Sequence, residues 1–196
     1  MLVVLAIIII ITVIALAGQS GFDRTVALNN ATYDVALSIR EAQSYGVSSQ
    51  SFSGTNNAGY GIYLRSAAPA SYVLFADTYP PVSATARPDA KPGDGLYSSS
   101  ASPSELLKTY TLNNGYSVSS FCAYASNGTR ACTADGLTEA AITFSRPNTR
   151  TYVEARSSSS WSTYQSACVT VSNRVGDQRF VLVAENGQVS IVTACP

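Results

Sequence analysis

The sequence predicts an α+β protein: a long N-terminal helix, hydrophobic and then amphipathic, packed on antiparallel β-sheet. Three observations carry this. The opening stretch Met1 to Ala17 (MLVVLAIIIIITVIALA) has no charge, proline or glycine, and Thr12 is its one polar side chain. From Gln19 to Tyr45 the chain continues without proline, and its apolar residues fall at helical spacing. From Tyr60 onward, short runs of β-branched and aromatic residues alternate with turn residues. Residues 1–45 are therefore read as one helix and residues 46–196 as a β-rich head.

The rod of residues 1–17 is apolar all round, which suits lipid or a packed bundle and not a water-facing surface. Thr12 can return its hydroxyl to a carbonyl one turn earlier, so it interrupts little. At ~1.5 Å per residue the run spans roughly 25 Å, slightly short of the ~30 Å hydrocarbon core. Its core positions are Leu2, Val3, Leu5, Ile7, Ile8, Ile9, Ile10, Ile11, Val13, Ile14 and Leu16. A secretory signal peptide would have basic residues before the run and a small-x-small site after it; Ala15-Leu16-Ala17 mimics the latter, but nothing basic precedes Met1. A plain membrane anchor accounts for the hydrophobicity but not for the amphipathic half, residues 18–45. There Phe22, Val26, Tyr33 and Leu37 form an apolar stripe, with Asp23, Arg24, Asp34, Arg40 and Glu41 mostly off it, and this stripe is expected to lie on the head. Ile10, Thr12, Gly18 and Gly21 mark where any unwinding of the helix is expected, because β-branched residues and glycines weaken it between Ile10 and Gly21.

The stretch from Tyr45 to Tyr60, rich in Gly, Ser and Asn, reads as the loop that ends the helix. Tyr60–Leu64 and Ser71–Asp77 read as strands. Tyr79–Gly95 holds four of the eight prolines and reads as a surface excursion. Asp89 and Asp94 within it offer a calcium ion only two carboxylates, too few to define a site. Ser98–Glu105 reads as a loop, with Ser104 capping a short helical turn. Thr109–Leu112 and Tyr116–Tyr124 flank Asn113-Asn114-Gly115 and are expected to form a hairpin; Ala140–Phe144 and Arg150–Ala155 flank Arg146-Pro147-Asn148. Ser157–Ser160 and Trp161 read as a polar loop. Ala167–Val171, Phe180–Ala184 and Gln188–Val192 complete the sheet, the last two joined at Asn186-Gly187 by an expected type I′ turn.

Twelve basic and twelve acidic side chains cancel, and charged residues make up only 12% of the chain, which argues against a nucleic-acid partner. Near-zero net charge instead suits packing against copies of itself. Cys122, Cys132, Cys168 and Cys195 allow three pairings, and four buried thiols are the alternative. Behind an anchor, two disulfides are expected, with Cys122–Cys132 closing a loop around Asn127-Gly128 and Cys168–Cys195 tying down the C-terminus. There is no histidine to serve a serine or cysteine nucleophile, no G-x-S-x-G elbow and no phosphate-binding glycine loop. The expectation is no enzymatic activity, no cofactor and no metal.

The rod, its amphipathic continuation and the β-rich remainder together resemble the type IV pilin and type II secretion pseudopilin superfamily. Met1-Leu2-Val3-Val4-Leu5-Ala6-Ile7-Ile8 is similar to the residues that follow the processed Phe-Thr-Leu-Ile-Glu motif of that family. The basic leader and the motif itself do not stand in this sequence: either they belong upstream of a trimmed start, as the resemblance expects, or the protein is not processed in the family's way. Gly61-Ile62, Tyr72-Val73-Leu74-Phe75, Ile142-Thr143-Phe144, Arg179-Phe180-Val181-Leu182-Val183 and Asn186-Gly187-Gln188-Val189 resemble, in order, the strands of the H-type minor pseudopilins and FimT-like proteins. The resemblance implies a pilin fold, a subunit stored in the inner membrane, and extracellular polymerisation with loss of helicity near Ile10–Gly21. It also implies a prepilin peptidase, an inner-membrane assembly platform and a cytoplasmic ATPase as partners.

Three functional readings follow. The first is a structural subunit of an extracellular type IV pilus-like filament serving adhesion, twitching motility or surface contact. The second is an H-type minor pseudopilin of a type II secretion pseudopilus. The third is a DNA- or surface-binding minor pilin using Arg146, Arg150, Arg156, Arg174 and Arg179, which Glu154, Asp177 and Glu185 interrupt.

Overall fold

The computed structural model describes residues 2–48, 50–81, 92–146, 150–158 and 160–196, with residues 2 and 14–22 as backbone only. Helix α1 runs Leu2–Ser48, three residues beyond Tyr45. The strands are β1 Gly59–Arg65, β2 Ser71–Asp77, β3 Leu106–Thr111, β4 Ser117–Tyr124, β5 Arg130–Cys132, β6 Leu137–Phe144, β7 Thr151–Ser157, β8 Ser160–Tyr164, β9 Ser166–Ser172, β10 Gln178–Val183 and β11 Val189–Val192. They form a six-stranded sheet in the order β3-β2-β1-β6-β7-β8 and a five-stranded sheet in the order β11-β10-β9-β4-β5. All neighbouring strands are antiparallel.

This corrects the expected α+β class, and with it the pilin fold of one long helix packed on sheet. The body is mostly β, in two sheets. The main core cluster draws Ile62, Leu74, Ile142, Phe144 and Val153 from one sheet and Phe121, Val169, Val171, Val181 and Val183 from the other. The helix supplies Leu28, Ala31, Val35, Ala36, Ile39 and Ala42, so it supplements a core that is built chiefly from strands. Length made the helix look dominant in the sequence, whereas buried apolar area decides which elements organise a fold.

The buried face of α1 also differs from the expected stripe. Leu28, Thr32, Val35, Ile39 and Ala42 are no more than 1% exposed, and Gly46 continues the same three- and four-residue spacing into the body. Val26, Tyr33 and Leu37 face away, at 40%, 64% and 65% exposure. Phe22 lies outside the residues with described side chains. Two stripes of helical spacing coexist on α1, and the one made of smaller residues docks because it lets helix and sheet approach closely. Thr32 satisfies its buried hydroxyl at the Leu28 carbonyl (2.8 Å) and Ser38 at the Val35 carbonyl (2.8 Å).

Several turns depart from expectation for local reasons. Asn114 and Gly115 do adopt positive φ (59° and 80°), as a type I′ turn needs. Yet β3 and β4 belong to different sheets, so the turn hands the chain from one sheet to the other and closes no hairpin. At Asn186-Gly187 only Gly187 has positive φ, at 86°. Gly187 N–H bonds to the Ala184 carbonyl (2.9 Å) and Ala184 N–H to the Gln188 carbonyl (2.9 Å), which gives a three-residue loop with a left-handed glycine in place of type I′. Trp161 is not in a loop but on edge strand β8, where it pairs with Arg156. No helical turn forms at Ser104; its hydroxyl instead accepts the Leu106 N–H (3.3 Å) as β3 begins. The predicted turn at Pro147-Asn148 lies outside the described residues, although β6 and β7 on either side do pair.

Candidate functional site

Of the rod positions with described side chains, Val3, Leu5, Ile7, Ile8, Ile9, Ile10, Ile11 and Val13 are 51–72% exposed. Thr12 donates to the Ile8 carbonyl (2.7 Å), so its hydroxyl adds little polarity to the surface. The side chains of Leu2, Ile14, Leu16, Gly18 and Gly21 lie outside the described residues, and the backbone across Ile10–Gly21 is helical. Among the described residues no helix is long and apolar enough to cross a membrane. What the geometry shows is a rod with apolar side chains on every side. Covering it would gain on the order of 10 kcal/mol or more at about 25 cal/mol per Å².

Further along α1, Tyr33 and Leu37 line a groove of about 500 Å³ between the helix and edge strand β11. Asp34, Ala36, Arg40 and the segment Gln188–Ile191 complete its walls. The seam is stitched where helix side chains reach strand carbonyls. Arg40 donates to the Val189 carbonyl (2.9 Å) and Gln43 to the Gly187 carbonyl (2.8 Å). Arg179 on β10 donates to the Asn29 side chain (3.0 Å). The Arg40 bond occupies part of the open edge of β11, a position that otherwise invites pairing with another strand, and the Gln43 bond lies just before β11.

On the far side of the helix, Glu41 accepts from the Tyr45 hydroxyl (3.1 Å) and from the Tyr110 hydroxyl. The Lys108 ammonium sits 4.3 Å above the Tyr110 ring, and Tyr110 stacks on Tyr72 with ring centroids 5.1 Å apart. Burial pushes the Tyr72 hydroxyl up to about 12, and burial with the Glu41 carboxylate raises Tyr110 further. The neutral phenol is the donor this clamp needs, so it joins α1 to edge strand β3 throughout the physiological range.

Two buried carboxylates, neither singled out by sequence pattern, hold the loop residues 78–79 and 94–98. Glu105, fully buried, accepts the N–H groups of Thr78 (2.9 Å), Tyr79 (2.7 Å) and Ser98 (2.7 Å). Asp77, at 7% exposure, accepts those of Asp94 (3.0 Å) and Gly95 (2.9 Å). Burial pushes the Asp77 carboxyl up to about 7; the Gly95 and Asp94 N–H groups pull the other way, and Glu105 and Asp94 add to the rise. Gly93, at φ +94°, passes so close that a Cβ would stand 2.2 Å from the Asp77 carboxyl carbon. Asp89 of the considered calcium pair lies outside the described residues. Among the described residues no three His, Cys, Asp or Glu groups gather as a metal site.

The cysteines form Cys122–Cys132 and Cys168–Cys195. The five arginines considered for DNA are engaged separately. Arg150 pairs with Glu185, Arg156 with Glu139 at 3.5 Å, Arg179 with Asn29 and Arg146 with Asn57 at 3.4 Å. Arg174 lies against Gly115, where a Cβ would stand 2.1 Å from its Nε.

No family model, curated protein or solved structure matches this chain.

Proposed function

We propose that this chain is a structural subunit that polymerises through its N-terminal helix into an extracellular type IV pilus-like filament. One observation carries the reading: the apolar side chains of Val3–Val13 stand exposed on a helix whose other end is clamped into a β-rich body. An isolated subunit cannot leave this rod in water at reasonable cost, and a bundle of the same rods from neighbouring copies covers it completely. Before assembly the inner membrane is the equivalent apolar environment, so extraction and polymerisation are coupled. A head-to-tail contact of this kind does not close on itself and generates an open helix.

The exposed stripe of Val26, Tyr33 and Leu37 extends the contact surface beyond the rod. It offers neighbours an apolar strip on the side of α1 that the body leaves open. Near-zero net charge removes long-range repulsion between like subunits. The test is to shear surface appendages from cells producing the chain, image them and identify their dominant polypeptide. Filaments built mainly of this chain, and lost on Ile8→Asp or Ile10→Asp, support the proposal. Wild-type filaments that contain none of it overturn it.

A further inference from the structure

Three of the four cysteines occupy one row of the five-stranded sheet. Cys122 on β4 is in register with Cys132 on β5 to one side and with Cys168 on β9 to the other. Directly opposed residues of antiparallel strands carry their side chains on the same face, with Cα atoms about 4.5–5.5 Å apart. That lies inside the ~4.4–6.8 Å that a disulfide spans, and the bonded Cys122–Cys132 pair stands closer still, at 4.0 Å between Cα atoms. Phe121 and Ala123, flanking Cys122, are buried in the core, so the row projects from the opposite face. The C-terminal segment reaches this face, bringing Cys195 to Cys168 and the Pro196 carbonyl to the Tyr124 hydroxyl (3.2 Å). Cys122 therefore has a sulfur partner on each flank and is bonded to one of them.

We infer that this row is a thiol–disulfide exchange site: a dithiol reductant opens Cys168–Cys195, and the remaining disulfide then migrates from Cys122–Cys132 to Cys122–Cys168. Entry is at Cys195, which is half-buried between exposed Ala194 and Pro196, whereas Cys168 is 0% and Cys132 6% exposed. A thiolate of the dithiol attacks Cys195 Sγ, forming a mixed disulfide and expelling Cys168 as thiolate. The second thiol of the reductant attacks its partner sulfur, releasing Cys195 as a thiol and leaving the reductant as a disulfide. Two electrons have then passed from the reductant to Cys168–Cys195. Cys168 Sγ next attacks Cys122 Sγ; the Cys122–Cys168 bond forms, the Cys122–Cys132 bond breaks, and Cys132 leaves as a thiolate that takes up a proton. This second exchange is redox-neutral.

The order of strands favours that second step. Thiolate attack on a disulfide proceeds with nucleophile, central sulfur and leaving sulfur roughly in line. Cys168, Cys122 and Cys132 sit on β9, β4 and β5, three adjacent strands, with the attacked residue in the middle. Migration newly crosslinks β4 to β9 while releasing the short edge strand β5 and the C-terminal segment together. The site thus couples the redox state of the surroundings to two segments at the margin of the sheet.

Cys195→Ser in the full chain, kept in detergent, tests this by leaving Cys168 without its present partner. The folded protein is held at about pH 8 to permit exchange, quenched with acid and alkylated, and its linkages are mapped by digestion and mass spectrometry. The expected result is a mixture of Cys122–Cys168 with alkylated Cys132 and Cys122–Cys132 with alkylated Cys168. Cys122–Cys132 alone would overturn the inference. Cys132→Ser approaches from the other side, and Cys122–Cys168 with alkylated Cys195 is expected. Should either variant fail to fold, wild-type protein treated with one equivalent of dithiothreitol yields the single-disulfide species directly. Cys122–Cys168 among them supports the exchange, and its absence refutes it.

Discussion

Gly46 of α1 lies so close to Phe144 of β6 that a Cβ on it would stand 2.3 Å from the Phe144 carbonyl oxygen. The neighbour is backbone, which cannot rotate aside, so the helix must lift or the strand must shift. Alanine gains about 1 kcal/mol of helix propensity over glycine, but overpacking at such a contact costs about 1–3 kcal/mol or more. Gly46→Ala is therefore expected to destabilise the body, with a net fall in midpoint by thermal or denaturant unfolding in detergent. An unchanged or raised midpoint would show that the helix end does not pack this tightly.

The two stripes of α1 predict opposite phenotypes. Val35→Ala or Ile39→Ala removes a fully buried side chain and should cost about 1–4 kcal/mol of stability. Tyr33→Ser with Leu37→Ser removes two exposed side chains and should leave the unfolding midpoint within about 0.5 kcal/mol of wild type. The double variant should instead weaken self-association, read by sedimentation. Equal destabilisation by both sets would mean that the exposed stripe is covered within the subunit.

Glu105 is expected to behave as a structural carboxylate. Both of its oxygens accept backbone N–H groups, and the amide of Glu105→Gln would replace one acceptor by a donor facing N–H groups. Bonds to a charged group contribute about 1.5–3 kcal/mol each, so a loss of roughly that size is expected, with faster amide exchange at Thr78, Tyr79 or Ser98. Wild-type exchange at all three would contradict the role given to Glu105.

Asp77 predicts a pH dependence. Its carboxyl stands near 7 when folded, against 3.8 as the ordinary value. Between those values the unfolded chain holds fewer protons on this group, so its contribution, fully present below about pH 4, is lost as pH rises through about 7. The fall across that window is on the order of 2–4 kcal/mol. Asp77→Asn should flatten this part of the stability profile. A wild-type profile that rises from pH 4 to 7, with the variant unchanged in slope, would remove Asp77 as its source.

Much of this architecture could be read from residue pattern, and the misreadings have definite causes. β2 falls where its run of β-branched and aromatic residues ends in turn residues, and β9 and β10 lie within a residue or two of their predicted bounds. Pattern fixes where a strand is, not which sheet it joins, so β3 and β4 looked like a hairpin across Asn114-Gly115. Size biased the choice of helix face toward Tyr33 and Leu37, although close packing favoured Ala42 and Gly46. Asp77 and Glu105 gave no signal, because a carboxylate becomes a loop anchor only through backbone N–H groups that folding brings to it. The apolar rod was legible at once, since its character depends on no tertiary contact.

The most direct measurement is sedimentation, with electron microscopy, of the full chain after detergent is withdrawn, beside Ile8→Asp with Ile10→Asp. Elongated polymers of uniform width from the wild type, absent from the variant, are the predicted result. A wild-type chain that sediments as a stable monomer in plain buffer, with Val3–Val13 open to water, would contradict assembly through the N-terminal helix.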